Sequence, residues 1–245
     1  MAESNPALDM LVLELAGKPV PRICFLPTAS GDEREQMMRF HERFQLWPCE
    51  PSTLSLFHLS QERIDPAEHL LSQDAIYIGG GSMRNMLAIW REHGVDEALR
   101  AAWNAGIVLA GVSAGAMCWF EGGISMSGGA PEPVSGLALL PGSLSVHRDG
   151  EPRRLPAYLR AVGSRALPAG YAADDGAALV YGGRQLIECG FAAGSRRGPR
   201  RPGCRGRRCC RGRRCCRWHG PDVHAAAPAR WGAGGLRRVA GRPRQ

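Results

Sequence analysis

The stretch IVLAGVSAGAMCWF, residues 107–120, runs from an apolar segment through a turn of small residues into a helix-compatible one. Ile107 to Ala110 have the continuous apolar character of a strand buried on both faces of a parallel sheet. Gly111 and Gly115 flank Ser113 by two residues on either side, the G-x-S-x-G pattern. It lets a strand turn sharply into a helix and leaves the serine hydroxyl exposed. The backbone N–H of Ala114 would open that helix and face the same space, where it could hold a developing oxyanion. Small residues packed at an ordinary strand–turn–helix junction give the same local pattern. The apolar strand before it and the helical segment after it raise the nucleophile reading.

Outward from this point, strand-like and helix-like segments alternate. ICFLPTAS (23–30), STLSLF (52–57) and AIYIGGG (75–81) read as strands. Residues 32–46 read as a helix, with Met37, Phe40, His41 and Phe44 at three-four spacing. Met83, Met86, Leu87 and Trp90 form one helical stripe closed by Gly94. Val95, Leu99, Ala102 and Trp103 form the next, closed by Gly106. LALLPGS (137–143) reads as a strand, and AALVYGGRQLIEC (177–189) as a hairpin turning at Gly182-Gly183. This order predicts an α/β fold, a mostly parallel sheet flanked by helices. Sites in such folds form at the carboxyl ends of strands. The glycine-rich junctions 79–81 and 111–115 both lie at such ends.

Of the 245 residues, 44% are hydrophobic and 22% charged, a globular composition. No apolar run reaches about 18 residues, so none is expected to span a membrane. No basic segment followed by an apolar core opens the chain, so a cytoplasmic location is expected. The net charge of +8 hides two regions of opposite sign. Residues 1–194 hold 15 Lys+Arg against 22 Asp+Glu; residues 195–245 hold 16 Arg and a single acid, Asp222. Cys24, Cys49, Cys118 and Cys189 are scattered and read as reduced thiols. Cys204, Cys209, Cys210, Cys215 and Cys216 crowd the basic region, where RGRRCC repeats at 205–210 and 211–216. Residues 1–194 are therefore expected to form the α/β domain and 195–245 an Arg/Cys/Gly-rich disordered tail. The tail could bind nucleic acid through phosphate. With Trp218 and Trp231 as its aromatics, it lacks the interleaved rings that stack on bases, so such binding is not expected to be its function. Its Cys-Cys steps lack the spacer of a zinc site.

A serine nucleophile needs a base. His41 and His93 fall in helical segments, and His58 and His69 in polar surroundings. His147 lies in a loop after the LALLPGS strand and is the preferred candidate. A loop histidine on the surface is the competing reading.

The segments FLPTASGD, YIGGGSMRNML, GVSAGAMCWFEGG, GLALLPGSLSVHRDGEP and DDGAAL resemble, in order and spacing, the peptidase E family. These are aspartyl dipeptidase-like serine peptidases, with which the cyanophycinases are grouped. The resemblance covers roughly residues 4–190. It implies a class I glutamine amidotransferase-like α/β fold and metal-free, cofactor-free hydrolysis of dipeptides with an N-terminal aspartate. It implies Ser113 as nucleophile, His147 as general base, and Gly80, Gly81 and Ala114 as the oxyanion hole. It also implies Arg153 as the residue that pairs with the substrate's carboxylate, for which a guanidinium fork is suited.

The chain departs from the family in three places. Many relatives carry an aspartate thirteen to fifteen residues after the serine; here Met126-Ser127-Gly128 fills that window. Glu132 resembles the glutamate of the cyanophycinase branch and is the favoured third triad member, ahead of Glu121 and of Asp149, which is close to His147 in sequence. The strand that precedes the Asn5-Pro6 segment in relatives is expected to be absent, since the sequence opens four residues before it. The tail does not resemble the closing strands and reads like a GC-rich coding region in the wrong frame. The leading expectation is a serine dipeptidase acting on a small peptide. The alternatives are a cyanophycinase-like isopeptidase, an inactive family member and a tail-mediated nucleic-acid binder.

Overall fold

The structure, a computed structural model, describes residues 6–59, 63–191 and 215–218. Strands β1 (Arg22–Leu26), β2 (Glu50–Thr53), β3 (Ala75–Ile78) and β4 (Val108–Gly111) form a parallel sheet in the order β2-β1-β3-β4. The register aligns Ile23 with Ala75 and Ile76 with Leu109. Ile23, Cys24, Leu26, Ile76 and Ile78 are fully buried, as their unbroken apolar runs require of strands covered on both faces.

Helices α1 (Ala7–Ala16) and α2 (Arg34–Phe44) cover one face. Val12, Phe25, Phe40, Phe44 and Tyr77 pack there, with Phe25 and Phe40 stacked at 4.7 Å between centroids. The other face is filled from α4 (Met83–Glu92) and α5 (Val95–Asn104) by Met83, Met86, Leu87, Trp90 and Leu99, as the helical stripes predict. Between α2 and α4 in sequence, α3 (Pro66–Leu71) starts at Asp65, whose carboxylate accepts the N–H groups of Ala67 and Glu68.

A second sheet is built from β5 (Phe120–Ser125), β6 (Glu132–Ser135), β7 (Leu140–Ser145) and β8 (Gly170–Ala173). With β11 (Cys215–Trp218) its order is β11-β8-β7-β5-β6. The pairs β5–β7 and β7–β8 are parallel; β6 and β11 flank them antiparallel. The four-residue helix α6 (Ala114–Met117) links β4 to this sheet, and α7 (Arg154–Gly163) crosses from β7 to β8, burying Tyr158, Ala161 and Val162 against Ile124 and Ala172.

Four sequence readings shift in the structure. The strand expected over 137–143 is β7, which begins at Leu140 and runs to Ser145, since Ala138 has φ 56° and breaks extended backbone before it. The second strand ends at Thr53, and Leu54 and Leu56 are buried in the core beyond the ladder instead of extending it. The hairpin is β9 (Ala177–Gly182) with β10 (Gln185–Phe191). Gly182 and Gln185 close it, so Gly183 (φ 53°) and Arg184 make the turn, one residue later than expected. Within the region expected to be a disordered tail, Cys215–Trp218 pairs as an edge strand with Gly170–Ala173. The remaining tail readings, on the repeats, thiols and nucleic acid, concern residues outside the described ones. Among the described residues, no helix is long and apolar enough to cross a membrane.

Candidate active site

The turn from β4 into α6 is as tight as the glycine spacing demands. A Cβ on Gly111 would lie 2.3 Å from the Gly115 carbonyl oxygen, and one on Gly115 would lie 2.5 Å from that of Ile78. Backbone occupies both spaces, so neither position admits a side chain. Ser113, at the apex, has φ 53° and ψ −114°. That conformation is costly for a residue with a Cβ and persists where the surroundings impose it. It turns the Ser113 side chain out toward His147.

His147 stands two residues beyond β7, itself at φ 54°. Its Nε2 lies 2.9 Å from Ser113 Oγ, and its Nδ1 is hydrogen-bonded to Asp175 Oδ1. A neutral imidazole protonated at Nδ1 satisfies both contacts: Nδ1–H donates to the carboxylate, and Nε2 accepts the serine hydroxyl. The group is open to solvent, with the His147 side chain 30% exposed and that of Asp175 55%.

The glycine loop at the end of β3 borders the serine. A Cβ on Gly80 would be 3.2 Å from Ser113 Cβ and 3.9 Å from Oγ. Gly81 has φ 144°, and a Cβ there would fall 2.1 Å from the Ala29 carbonyl oxygen, so the loop passes against the Thr28–Ser30 backbone where only glycine fits. Ser82 then caps α4, accepting from the Asn85 N–H at 3.2 Å. Ala114 is the first residue of α6, where helix geometry leaves the N–H without an intrahelical acceptor.

The other sequence-selected residues are spread around this centre. Glu132, favoured as the triad acid, is instead ion-paired with Arg84 at 2.8 Å, and the histidine's Nδ1 is taken by Asp175. Glu121 is on β5, accepting the Gly142 N–H at 2.8 Å. Asp149 accepts the backbone N–H of Asp175 at 2.9 Å, and so meets the group through the Asp175 backbone. Arg153 is exposed at the start of α7, on a groove of about 490 Å³ that it lines with Ala130, Pro131, Pro152, Pro156 and Arg160. Its neighbour Arg154 is buried, donating to the Ile124 carbonyl and the Glu151 carboxylate. His41 is held on Thr53 Oγ1 at 2.8 Å, and burial lowers its pKa. Asp175 was missed as a site residue, although it lies within the DDGAAL segment.

Glu132→Gln is expected to leave turnover within about twofold of wild type and stability within roughly 0.5 kcal/mol, because an exposed ion pair contributes little. Side-by-side initial rates and thermal melts check this; a large drop in turnover would return Glu132 to the triad.

Residues 1–189 match the sequence profile of peptidase family S51. The chain is 46% identical over 188 residues to the uncharacterized peptidase YgaJ of Bacillus subtilis (strain 168), covering 77% of this chain and 81% of that one. The fold is similar to the crystal structure of a candidate peptidase E protein of Listeria monocytogenes EGD-e. That similarity has TM-score 0.57 and 17% identity, over 75% of this chain and 93% of that one. A peptidase from an acI-B1 Actinobacterium is similar at the same TM-score of 0.57 and identity of 17%, over 76% and 80% of the two chains. With this fold and these matches, the chain belongs to peptidase family S51, the peptidase E family of serine peptidases.

Proposed function

We propose that this peptidase cleaves small peptides, dipeptides with an N-terminal aspartate, through a triad of Ser113, His147 and Asp175. The observation that carries the reading is one imidazole bonded on Nε2 to Ser113 Oγ and on Nδ1 to Asp175. Ser113 Oγ attacks the scissile carbonyl carbon while His147 Nε2 takes its proton. The N–H groups of Gly80, Gly81 and Ala114 receive the oxyanion. The imidazolium, stabilised by the Asp175 carboxylate, returns the proton to the leaving amine. A water deprotonated by the same nitrogen then releases the acyl group and restores the serine. The aspartate preference rests on the family resemblance and on Arg153, exposed at the start of α7, whose guanidinium suits a carboxylate. Glu132, which resembles the glutamate of the cyanophycinase branch, is ion-paired with Arg84.

A dipeptide panel tests the substrate. Asp-X peptides should be cleaved with at least tenfold higher kcat/KM than Asn-X peptides, and Arg153→Ala should erase most of that margin. Equal rates on Asp-X and Asn-X would refute the aspartate preference while leaving the triad standing.

A further inference from the structure

We infer that Asp149 and Gly150 are positioning residues that hold the Asp175 carboxylate on His147; this rests on the triad reading above. An aspartate more than half exposed has little packing to fix its side chain, and its grip on an imidazole must come from elsewhere. Two short segments supply it. Between 147–149 and 173–175, His147 donates to Asp175, the Arg148 N–H donates to the Ala173 carbonyl at 3.0 Å, and Asp149 Oδ1 accepts the Asp175 N–H at 2.9 Å. The Arg148 guanidinium also grips Asp174 through Nε and Nη2 at 2.5 and 2.7 Å. Of the two adjacent acids, Asp174 is thus engaged by arginine, and Asp175 is left for the histidine.

Gly150 supplies the remaining constraint. A Cβ there would lie 2.7 Å from Asp175 Oδ2, closer than such atoms approach, so the carboxylate rests against the bare glycine backbone. The atom in the way is the end of a flexible side chain on an exposed surface. A methyl group would therefore be accommodated by rotating the carboxylate away, at small cost to folding. The loss falls on the Asp175–His147 geometry, where a displacement of about 1 Å lowers rates by up to about 100-fold. Asp149 acts one step earlier. It fixes the Asp175 backbone, and any oxygen acceptor at that distance can do the same.

The experiment compares wild type, Gly150→Ala, Asp149→Ala and Asp149→Asn by kcat and KM on the dipeptide that wild type cleaves. Thermal melts and the downfield imidazole N–H proton resonance of His147 are recorded in parallel. Gly150→Ala and Asp149→Ala should keep the wild-type melting temperature and KM, lose roughly 10- to 100-fold in kcat, and lose or broaden the resonance. Asp149→Asn, which retains an acceptor oxygen, should recover most of the loss in both. Wild-type kcat and resonance in Gly150→Ala overturn the inference, as does a loss in Asp149→Asn equal to that in Asp149→Ala. The resonance reads the geometry without turnover. Failure of the triad reading looks different: Asp175→Asn would then match wild type while Ser113→Ala is inactive.

Discussion

Ser113→Ala should lower kcat by roughly three to six orders of magnitude, with the protein folding as before. The side chain removed carries the bond-forming oxygen, which is hydrogen-bonded to His147 Nε2. The backbone does not benefit from the change, since alanine has a Cβ and meets the same strain at φ 53°. The melting temperature should therefore stay close to that of wild type. Residual hydrolysis reflects whatever the N–H groups of Gly80, Gly81 and Ala114 contribute by holding the oxyanion. Single-turnover and steady-state rates on an Asp-X dipeptide, alongside thermal melts, measure both effects. Turnover at the wild-type level in Ser113→Ala would remove the nucleophile assignment and every step that follows from it.

The nucleophile turn could be read from the chain because its requirements are local. Backbone sterics confine positions 111 and 115 to glycine, and the strand and helix on either side show in the apolar pattern. The stripes that became α4 and α5 were equally plain, since each buries one face against a fully buried strand. The acid bonded to His147 is a different kind of feature. Strands β7 and β8 run parallel with Ser145 beside Ala172, and α7 separates them in sequence. Continuing both strands by two or three residues brings His147 level with Asp174 and Asp175. That neighbourhood exists once the crossover has closed, and spacing counted from Ser113 cannot contain it. Glu132 has the right distance along the chain and the wrong strand. It lies on β6, paired with Ser125 of β5, and β5 lies between β6 and β7. Each strand step is about 4.8 Å, so Glu132 is two steps from the strand that carries the histidine, whereas Asp175 follows its immediate neighbour. The early end of the second strand and the one-residue offset of the hairpin turn are smaller cases of pairing decided by partners distant in sequence.

Asp175→Asn should lower kcat by about 10³-fold, a larger effect than any other acid near the site would show. The substitution keeps the shape and removes the charge. In the wild type the carboxylate can only accept, so the imidazole must place its proton on Nδ1 and leave Nε2 free to take the serine proton. An asparagine can also donate. Its amide can face Nδ1 with an N–H, which moves the ring proton to Nε2 and leaves the base unable to accept from Ser113. Even in the productive tautomer, a neutral amide does not offset the imidazolium formed as Ser113 attacks. Asp175 is more than half exposed, so water screens part of its charge, and the loss should be smaller than for a buried acid in the same role. Asp174→Asn gives the contrast: it weakens the grip of Arg148 without touching the imidazole, and should cost far less. Rates for the two variants, measured on one substrate, separate the neighbours. Wild-type turnover in Asp175→Asn would show that the histidine works without this carboxylate, and would reduce the site to a Ser113–His147 dyad.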